Sequence, residues 1–323
     1  MGETIRASIL VLACSTVIAG LASGQAYPSR PIRLIVPSAA GGAPDIQARL
    51  FANELNRQMG QQIVVDNRPG GSGIIGFDMI AKAPADGYTI GFASFAIMTN
   101  PAIFVKLPYD AIRDFAPIMQ QSIGPNILTV SLSLPVKSVQ DLVTLARAQP
   151  GKLMYGSSGA GTSIQLSMEL FKSLTGTKII EVSYKGVQQA VTEVIGGQIH
   201  ILCDNISSIL PHVRSGKLRA LGVTTQKRST AVPELPTIAE AGIPGYEMAP
   251  SSGYIAPARV PRDILVRLNA EFNKALQSPP ITDRFAANGS ILVGGTPDHF
   301  AEHIRSEIVK WAKVIKTAGI NPQ

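Results

Sequence analysis

Cysteine, runs of like charge and long apolar segments are all scarce in this 323-residue chain. Cys14 and Cys203 are its two cysteines, which excludes a disulfide-rich scaffold. The 29 basic and 22 acidic residues give a net charge of +7, but they are dispersed rather than clustered. Nucleic-acid binding, which needs a basic patch, is therefore not expected. Aromatic residues make up only 6% of the chain, whereas 45% is hydrophobic, as in a globular protein with a substantial core.

The N-terminus has the features of an export signal. Arg6 precedes the apolar segment 7–23, and the small residues of 22–26 offer a cleavage site near 24–26. After it, no second apolar run is long enough for a membrane span. We therefore predict an exported, periplasmic protein. Cys203 would then be the single cysteine left, and we expect it to be buried as a small hydrophobe.

The rest of the chain alternates predicted strands and helices, which favours α/β units with mostly parallel sheets. The extended segment 125–136 is long enough to cross between two such units. We predict a clam-shell of two α/β lobes around a ligand cleft, joined by a strand hinge. Residues 27–127 and 225–323 would form the first lobe and residues 128–224 the second. Helices near 262–277 and 297–318 would return to the first lobe.

Two strand–glycine–helix junctions are suited to anion binding. In "LIVPSAAGGAPDIQARL" (34–50), a buried strand turns at Gly41-Gly42 into a helix. In "SSGAGTS" (157–163), Thr162 and Ser163 can cap the next helix. Free N–H groups at such helix starts favour anions, so one junction per lobe suggests a carboxylate held from both sides. Lys185 is either a surface charge or a cation of the cleft, and Asp204 either holds a donor or orients loops.

Motifs of enzymes are weak in this sequence. "GSGIIG" (71–76) fits a dinucleotide fingerprint, but the next strand lacks the acidic residue that a ribose needs. "HFAEH" (299–303) fits a zinc string, yet its histidines flank an apolar stripe and are expected to face solvent. No G-x-S-x-G is present, which argues against serine catalysis. A secreted serine-type hydrolase that uses the Gly/Ser-rich loop 156–163 is kept as the alternative to a binding protein. We expect no enzyme activity, no metal and no cofactor.

Ordered blocks along the whole mature chain resemble one family. They include "YPSRPIRLIVP" (27–37), "VVDNRPGGSG" (64–73), "PGKLMYGSSGAGTS" (150–163), "LRALGVTTQKRS" (218–229) and "LPTIAEAGIPGYE" (235–247). Together they resemble the extracytoplasmic solute receptors of tripartite tricarboxylate transporters, the Bug family. The resemblance implies a type II periplasmic-binding-protein fold. It also implies capture of a small organic anion, often a carboxylate, for a membrane permease, by a protein that we expect to be a monomer.

The resemblance also implies where the ligand binds. The first-lobe residues are Ser38, Ala39, Ala40, Gly41, Gly42, Asp45, Ser94 and Phe95. The second-lobe residues are Ala160, Gly161, Thr162, Ser163, Tyr184, Lys185, Gly186 and Asp204.

The chain departs from the family pattern at bulky positions. Ser38-Ala39-Ala40 replaces the usual aromatic and prolines, and Ser251-Ser252-Gly253 replaces a usual Trp-x-Gly. Ser183 stands where proline is usual, and Gln165 where histidine is usual. These losses predict a wider or more polar cleft and a ligand that differs from, and is larger than, the small dicarboxylates.

Overall fold

The computed structural model describes residues 27–320, so the predicted export signal lies outside the described part of the chain. Its strands are β1 (Ile32–Val36), β2 (Ile63–Asn67), β3 (Thr89–Ala93), β4 (Phe115–Ile123), β5 (Asn126–Ser131), β6 (Met154–Ser157), β7 (Ile180–Ser183), β8 (Ile201–Asn205), β9 (Leu218–Val223), β10 (Ser251–Pro257) and β11 (Ile291–Gly294). Its helices are α1 (Ala43–Met59), α2 (Ile74–Ala81), α3 (Ala96–Ile103), α4 (Val139–Ala148), α5 (Ser163–Thr175), α6 (Val187–Ile195), α7 (Ile206–Arg214), α8 (Arg262–Leu276), α9 (Pro279–Ala287) and α10 (Pro297–Thr317). Within this range, no helix has the length and apolarity to cross a bilayer.

The strands form two sheets, one in each lobe. The first lobe has six strands in the order β11-β4-β10-β3-β1-β2, and the second has five in the order β7-β6-β8-β5-β9. The βα units pair in parallel, β1 with β2 and β3, and β6 with β7 and β8. Strands β10, β4, β11, β5 and β9 add antiparallel neighbours. The two-lobed α/β fold is confirmed, but both sheets are mixed rather than mostly parallel, because β10 and β11 in the first sheet and β5 in the second run against the βα units.

The chain crosses between lobes at Gly124–Pro125 and again near Pro250, where the Gly124 N–H donates to the Pro250 carbonyl oxygen at 3.1 Å. Segment 225–248, which we assigned to the first lobe, packs on the second. The Tyr246 hydroxyl donates to the Ser167 carbonyl oxygen at 3.0 Å, and the Met248 N–H to that of Thr224 at 2.8 Å. We therefore place the return to the first lobe near Pro250.

Local sequence explains how the cleft is supported. Helix α1 begins with Pro44 in its first turn and ends at Gly60, whose φ of 64° permits the left-handed cap. Helix α10 buries the predicted stripe, including Phe300, Ile304 and Trp311. The Trp311 ring lies edge-on to Phe95, with centroids 5.0 Å apart, so this helix packs directly behind a residue of the cleft wall. Cys203 is fully buried, as predicted.

Candidate functional site

Six helices begin at one cavity between the lobes. The cavity, of about 120 Å³, is lined by the first residues or cap residues of α1, α2 and α3 from the first lobe and α5, α6 and α7 from the second. Each of these helices follows a parallel strand of its sheet. The initial N–H groups of a helix have no intrahelical acceptor and carry a partial positive charge. The cavity is therefore suited to an anion.

The first-lobe loop is held in shape by Asp45. The Asp45 carboxylate accepts the Gly41 N–H at 2.8 Å and lies 2.9 Å from the Arg49 Nε. Burial opposes ionisation of Asp45, but these partners outweigh it and keep its pKa below the ordinary value. Asp45 does not line the cavity, and neither do Ala40, Gly41 and Gly42, whereas Ser38, Ala39, Ala43 and Pro44 do. Asp45 thus acts on the loop and not directly on the cavity.

The second-lobe loop presents free N–H groups. Thr162 caps α5, with its hydroxyl accepting the Gln165 N–H at 3.4 Å and donating to the Gly159 carbonyl oxygen at 2.7 Å. Gln165 accepts the Gly161 N–H at 3.1 Å. In the described part of the chain, the N–H groups of Ser163 and Ile164 have no acceptor, and both residues line the cavity with Thr162. Ala160 and Gly161 lie behind them, outside the lining.

Two ionisable residues lie on the cavity wall among the described residues, Lys185 and Asp204. Lys185 is exposed at the cleft mouth, next to Gly186, whereas Tyr184 does not line the cavity. Asp204 is 3% exposed and accepts a hydrogen bond from the Ser208 hydroxyl. Burial raises its pKa to about 6, although the Ser208 bond and a backbone N–H oppose the rise.

The lobes touch across the cleft through two reciprocal hydrogen bonds. Gln188 of the second lobe donates through Nε2 to the Gly41 carbonyl oxygen at 2.5 Å. Thr99 of the first lobe donates through Oγ1 to the Gly161 carbonyl oxygen at 2.5 Å. A Cβ at Gly186 would lie 2.5 Å from that of Ala39, so these backbones meet where no side chain fits. The lobes are therefore in direct contact beside the cavity.

The ligand-binding residues predicted from the sequence thus divide into those that line the cavity and those that do not. On the wall are Ser38, Ala39, Ser94, Phe95, Thr162, Ser163, Lys185, Gly186 and Asp204. Whether they contact a ligand remains a prediction.

Four serines on the opposite wall were not predicted as site residues: Ser122, Ser251, Ser252 and Ser290. Ser122 belongs to β4, Ser251 and Ser252 belong to β10, and Ser290 lies in the turn before β11. All four are on the antiparallel half of the first sheet. Gln47 of α1 joins them, and its carboxamide oxygen accepts from Gln121 at 2.9 Å. The replacement of Trp-x-Gly by Ser251-Ser252-Gly253 was the sequence signal for this wall. Gly70, Ser72 and Gly73, from the glycine-rich turn before α2, also line the cavity.

His303 contradicts the expectation that both histidines of "HFAEH" face solvent. Its Nε2 lies 2.8 Å from the Ser251 Oγ, and the side chain is half-buried, whereas His299 is exposed. The register of α10 turns His303 toward β10, which the apolar stripe alone did not reveal. In the described residues, no cluster of three metal-ligating side chains occurs.

Hydrolase geometry is not assembled in loop 156–163. Ser157 donates to Glu181, and Thr162 donates to a backbone carbonyl. No histidine bonds a hydroxyl of this loop in the part of the chain that the structure describes. The nucleophile–base pair that serine catalysis requires is therefore not formed by this loop.

Two α/β lobes that close over a cavity ringed by helix N-termini define the periplasmic-binding-protein class of ligand receptors. Residues 47–320 match the family described as "Tripartite tricarboxylate transporter family receptor". The chain belongs to this family of solute receptors.

Individual relatives support the assignment over nearly full length. Protein BugT of Bordetella pertussis is 36% identical, with 98% of this chain and 97% of that protein covered. The solved structure "R. palustris Rpa4515 with adipate" is 41% identical, covers 92% of this chain and 100% of its own, and superimposes with a TM-score of 0.89. The structure "MatC (Rpa3494) from Rhodopseudomonas palustris with bound malate" is 28% identical, covers 90% and 100%, and gives a TM-score of 0.86.

Proposed function

We propose that this chain captures an organic carboxylate in the periplasm between its two lobes and delivers it to the membrane permease of a tripartite tricarboxylate-type transporter. The observation that carries the proposal is the convergence of six helix N-termini, three from each lobe, on one cavity between the lobes. The receptor works as a monomer, because each chain supplies both sides of its own cleft.

The cavity suits a carboxylate, because few charged side chains line it. The described lining contains one basic residue, Lys185, so charge neutralisation rests mainly on backbone N–H groups. Each helix start contributes only about 0.3–1 kcal/mol, and several must act together in a site that excludes water. Adipate and malate occupy two similar structures, which supports an acid of this kind as the ligand.

Closure couples capture to delivery. The ligand adds contacts from both lobes that only the closed arrangement can provide, so binding shifts the population toward closure. Gln188 then joins the lobes at the cleft through its bond to the Gly41 carbonyl oxygen. The permease would recognise this closed form.

Isothermal titration of the purified mature chain with succinate, malate, adipate, hexanoate and benzoate tests the proposal. We expect one acid to bind per chain, with the thermal midpoint of unfolding raised by the same acids. From the small side chains at Ser38, Ala39 and Ser251, we expect longer acids to bind more tightly than succinate and malate. Product formation from ester substrates, with no stoichiometric binding of any acid, would favour the hydrolase alternative.

A further inference from the structure

The cavity has two chemically different halves, and the topology of the first sheet creates them. Strands β1, β2 and β3 each lead into a helix, so their edge presents helix N-termini. The neighbouring strands β10, β4 and β11 lead into none at the cavity and present Ser251, Ser252, Ser122 and Ser290 there. Neighbouring strands are about 5 Å apart, so an extended acid held by the helix starts reaches this serine wall.

Two hydroxyls of the serine wall, those of Ser122 and Ser252, are already engaged with each other. The Ser122 and Ser252 hydroxyls lie 3.3 Å apart, and Ser252 is 3.4 Å from the Gln47 carboxamide oxygen. Ser251 differs from them, because its Oγ lies 2.8 Å from an imidazole nitrogen of His303. Its other neighbour is the Met98 sulfur at 3.5 Å, which is a weak acceptor. The Ser251 proton is therefore easily redirected into the cavity.

The surroundings of His303 keep its imidazole within hydrogen-bond distance of Ser251. Its ring lies nearly parallel to that of Phe300, with 6.4 Å between centroids. Helix α10 packs against α3 and β4, and neither of these two elements carries an ionisable side chain. The charged neighbours of His303, Glu307 and Lys310, lie on α10 itself. Burial lowers the pKa of His303, and His299 and Lys310 reinforce this against the opposing effect of Glu307. A neutral imidazole has one donor and one acceptor nitrogen, so Nε2 can donate to Ser251 or accept from it.

We propose that Ser251, oriented by His303, binds a second hydrogen-bond-accepting group at the distal end of the ligand. The receptor thereby prefers acids with such a group to monoacids of the same length. When Nε2–H of His303 donates to the Ser251 Oγ, the Ser251 O–H is left to donate to a distal carboxylate or carbonyl oxygen. His303 is a positioning residue in this arrangement, and Ser251 makes the contact. The inference rests on the proposed function, since it extends the same cleft.

The test compares adipate with hexanoate, which share one carboxylate and differ in whether the other end accepts a hydrogen bond. By calorimetry at neutral pH, we expect the wild-type chain to bind adipate more tightly. Ser251→Ala lowers the affinity for adipate about tenfold or more, the usual effect of losing a hydrogen bond to a charged group. The same variant binds hexanoate within about threefold of wild type, because the helix N-termini that hold the shared carboxylate are unchanged.

His303 variants separate positioning from packing. His303→Leu keeps an apolar side chain against Phe300 but cannot donate, and we expect adipate affinity to fall about fivefold or more. His303→Gln retains an N–H donor and restores adipate affinity to within about threefold of wild type. His299→Leu, at an exposed position one turn earlier on α10, is the matched control and changes neither acid. The thermal midpoint of each unliganded variant checks that the fold is kept.

The possible results are distinct. An unchanged adipate-to-hexanoate ratio in Ser251→Ala, or equal losses for both acids in His303→Leu without rescue by His303→Gln, would overturn the distal contact. If hexanoate still bound in that case, the carboxylate receptor function would stand. If the wild-type chain bound neither these nor the other acids, the proposed function itself would fail, and this inference with it.

Discussion

Each lobe brings three helix N-termini to the cleft, but the two lobes supply different side chains around them. The first lobe contributes serines, Gln47, prolines and Phe95, and none of its described lining residues is ionisable. The second lobe contributes both ionisable residues, Lys185 and Asp204. The two lobes thus contribute equally to the helix dipoles that favour an anion. The charged side chains of the cavity come from the second lobe, whereas the first lobe lines the cavity with uncharged side chains.

Gly41 provides the strongest test of how the first lobe meets the second. Its φ of 79° disfavours any side chain, and a Cβ would lie 3.1 Å from the Gln188 side chain. Gly41→Val therefore strains its own loop, at a cost of about 1–3 kcal/mol in the free energy of unfolding, and also obstructs closure. We expect affinity for the bound acid to fall about a hundredfold or more by calorimetry, with a folded circular-dichroism spectrum. Unchanged affinity would show that Gly41 is not at a ligand-dependent contact.

Gly186 is the partner of this region on the second lobe, but its backbone is unstrained, with a φ of −163°. Gly186→Ala places a methyl group against Ala39 only when the lobes close. We expect a loss of affinity of about tenfold, because the closed state alone is penalised, and no change in the unfolding midpoint of the unliganded chain. Gly196→Ala, at the C-terminal end of α6, is the matched control. A lowered midpoint with unaltered affinity would indicate a role in folding instead.

The buried aspartates of the two lobes respond to pH in opposite directions. Burial raises the pKa of Asp204 from 3.8 to about 6, so its favourable contribution to stability is complete below about pH 3.8 and is lost as the pH rises through about 6. The pKa of Asp45 is lowered, so its contribution is present above its ordinary pKa and is lost in more acidic solution.

Urea unfolding of two matched variants tests this difference. At pH 8, Asp204→Asn is expected to raise the free energy of unfolding by about 1–2 kcal/mol, since an amide avoids burying a charge. The gain should disappear near pH 4. Asp45→Asn is expected to lower the free energy of unfolding at pH 8, because Arg49 and the Gly41 N–H lose an ionised partner. A change of the same sign in both variants would contradict the assigned environments.

Local pattern was sufficient to predict what depends on short stretches of sequence. The strands and helices around Gly41-Gly42 and around Thr162-Ser163, and the two-lobed α/β class, followed from periodicity, glycine position and capping residues. The resemblance to the family then supplied the predicted location of the ligand, which stays a prediction. These features survive because strand–turn–helix junctions are set mainly by residues that are near one another in sequence.

Features that depend on distant residues were not accessible in the same way. The serine wall joins β4 to β10 and to the turn before β11, both of which lie more than a hundred residues after β4 in the chain. The pairing of His303 with Ser251 depends on how α10 docks, and the packing of segment 225–248 on the second lobe depends on Tyr246 reaching Ser167. Such contacts are fixed by tertiary packing, and no local spacing encodes them.

The smallest expected effect concerns the two hydrogen bonds that join the lobes. Gln188 lies at the cleft mouth and is partly exposed, so in Gln188→Ala water can replace its bond to the Gly41 carbonyl. We expect affinity to fall no more than about threefold to fivefold by calorimetry.

Thr99 is fully buried, and Thr99→Val leaves the Gly161 carbonyl without a donor in a site that water does not reach. The unfolding midpoint should therefore fall in Thr99→Val and stay constant in Gln188→Ala. Equal effects of the two variants on the midpoint would mean that the Gln188 bond also holds the unliganded chain together. In that case the bond donated by Gln188 of the second lobe would stabilise the contact between the lobes in the unliganded chain as much as the bond donated by Thr99 of the first lobe.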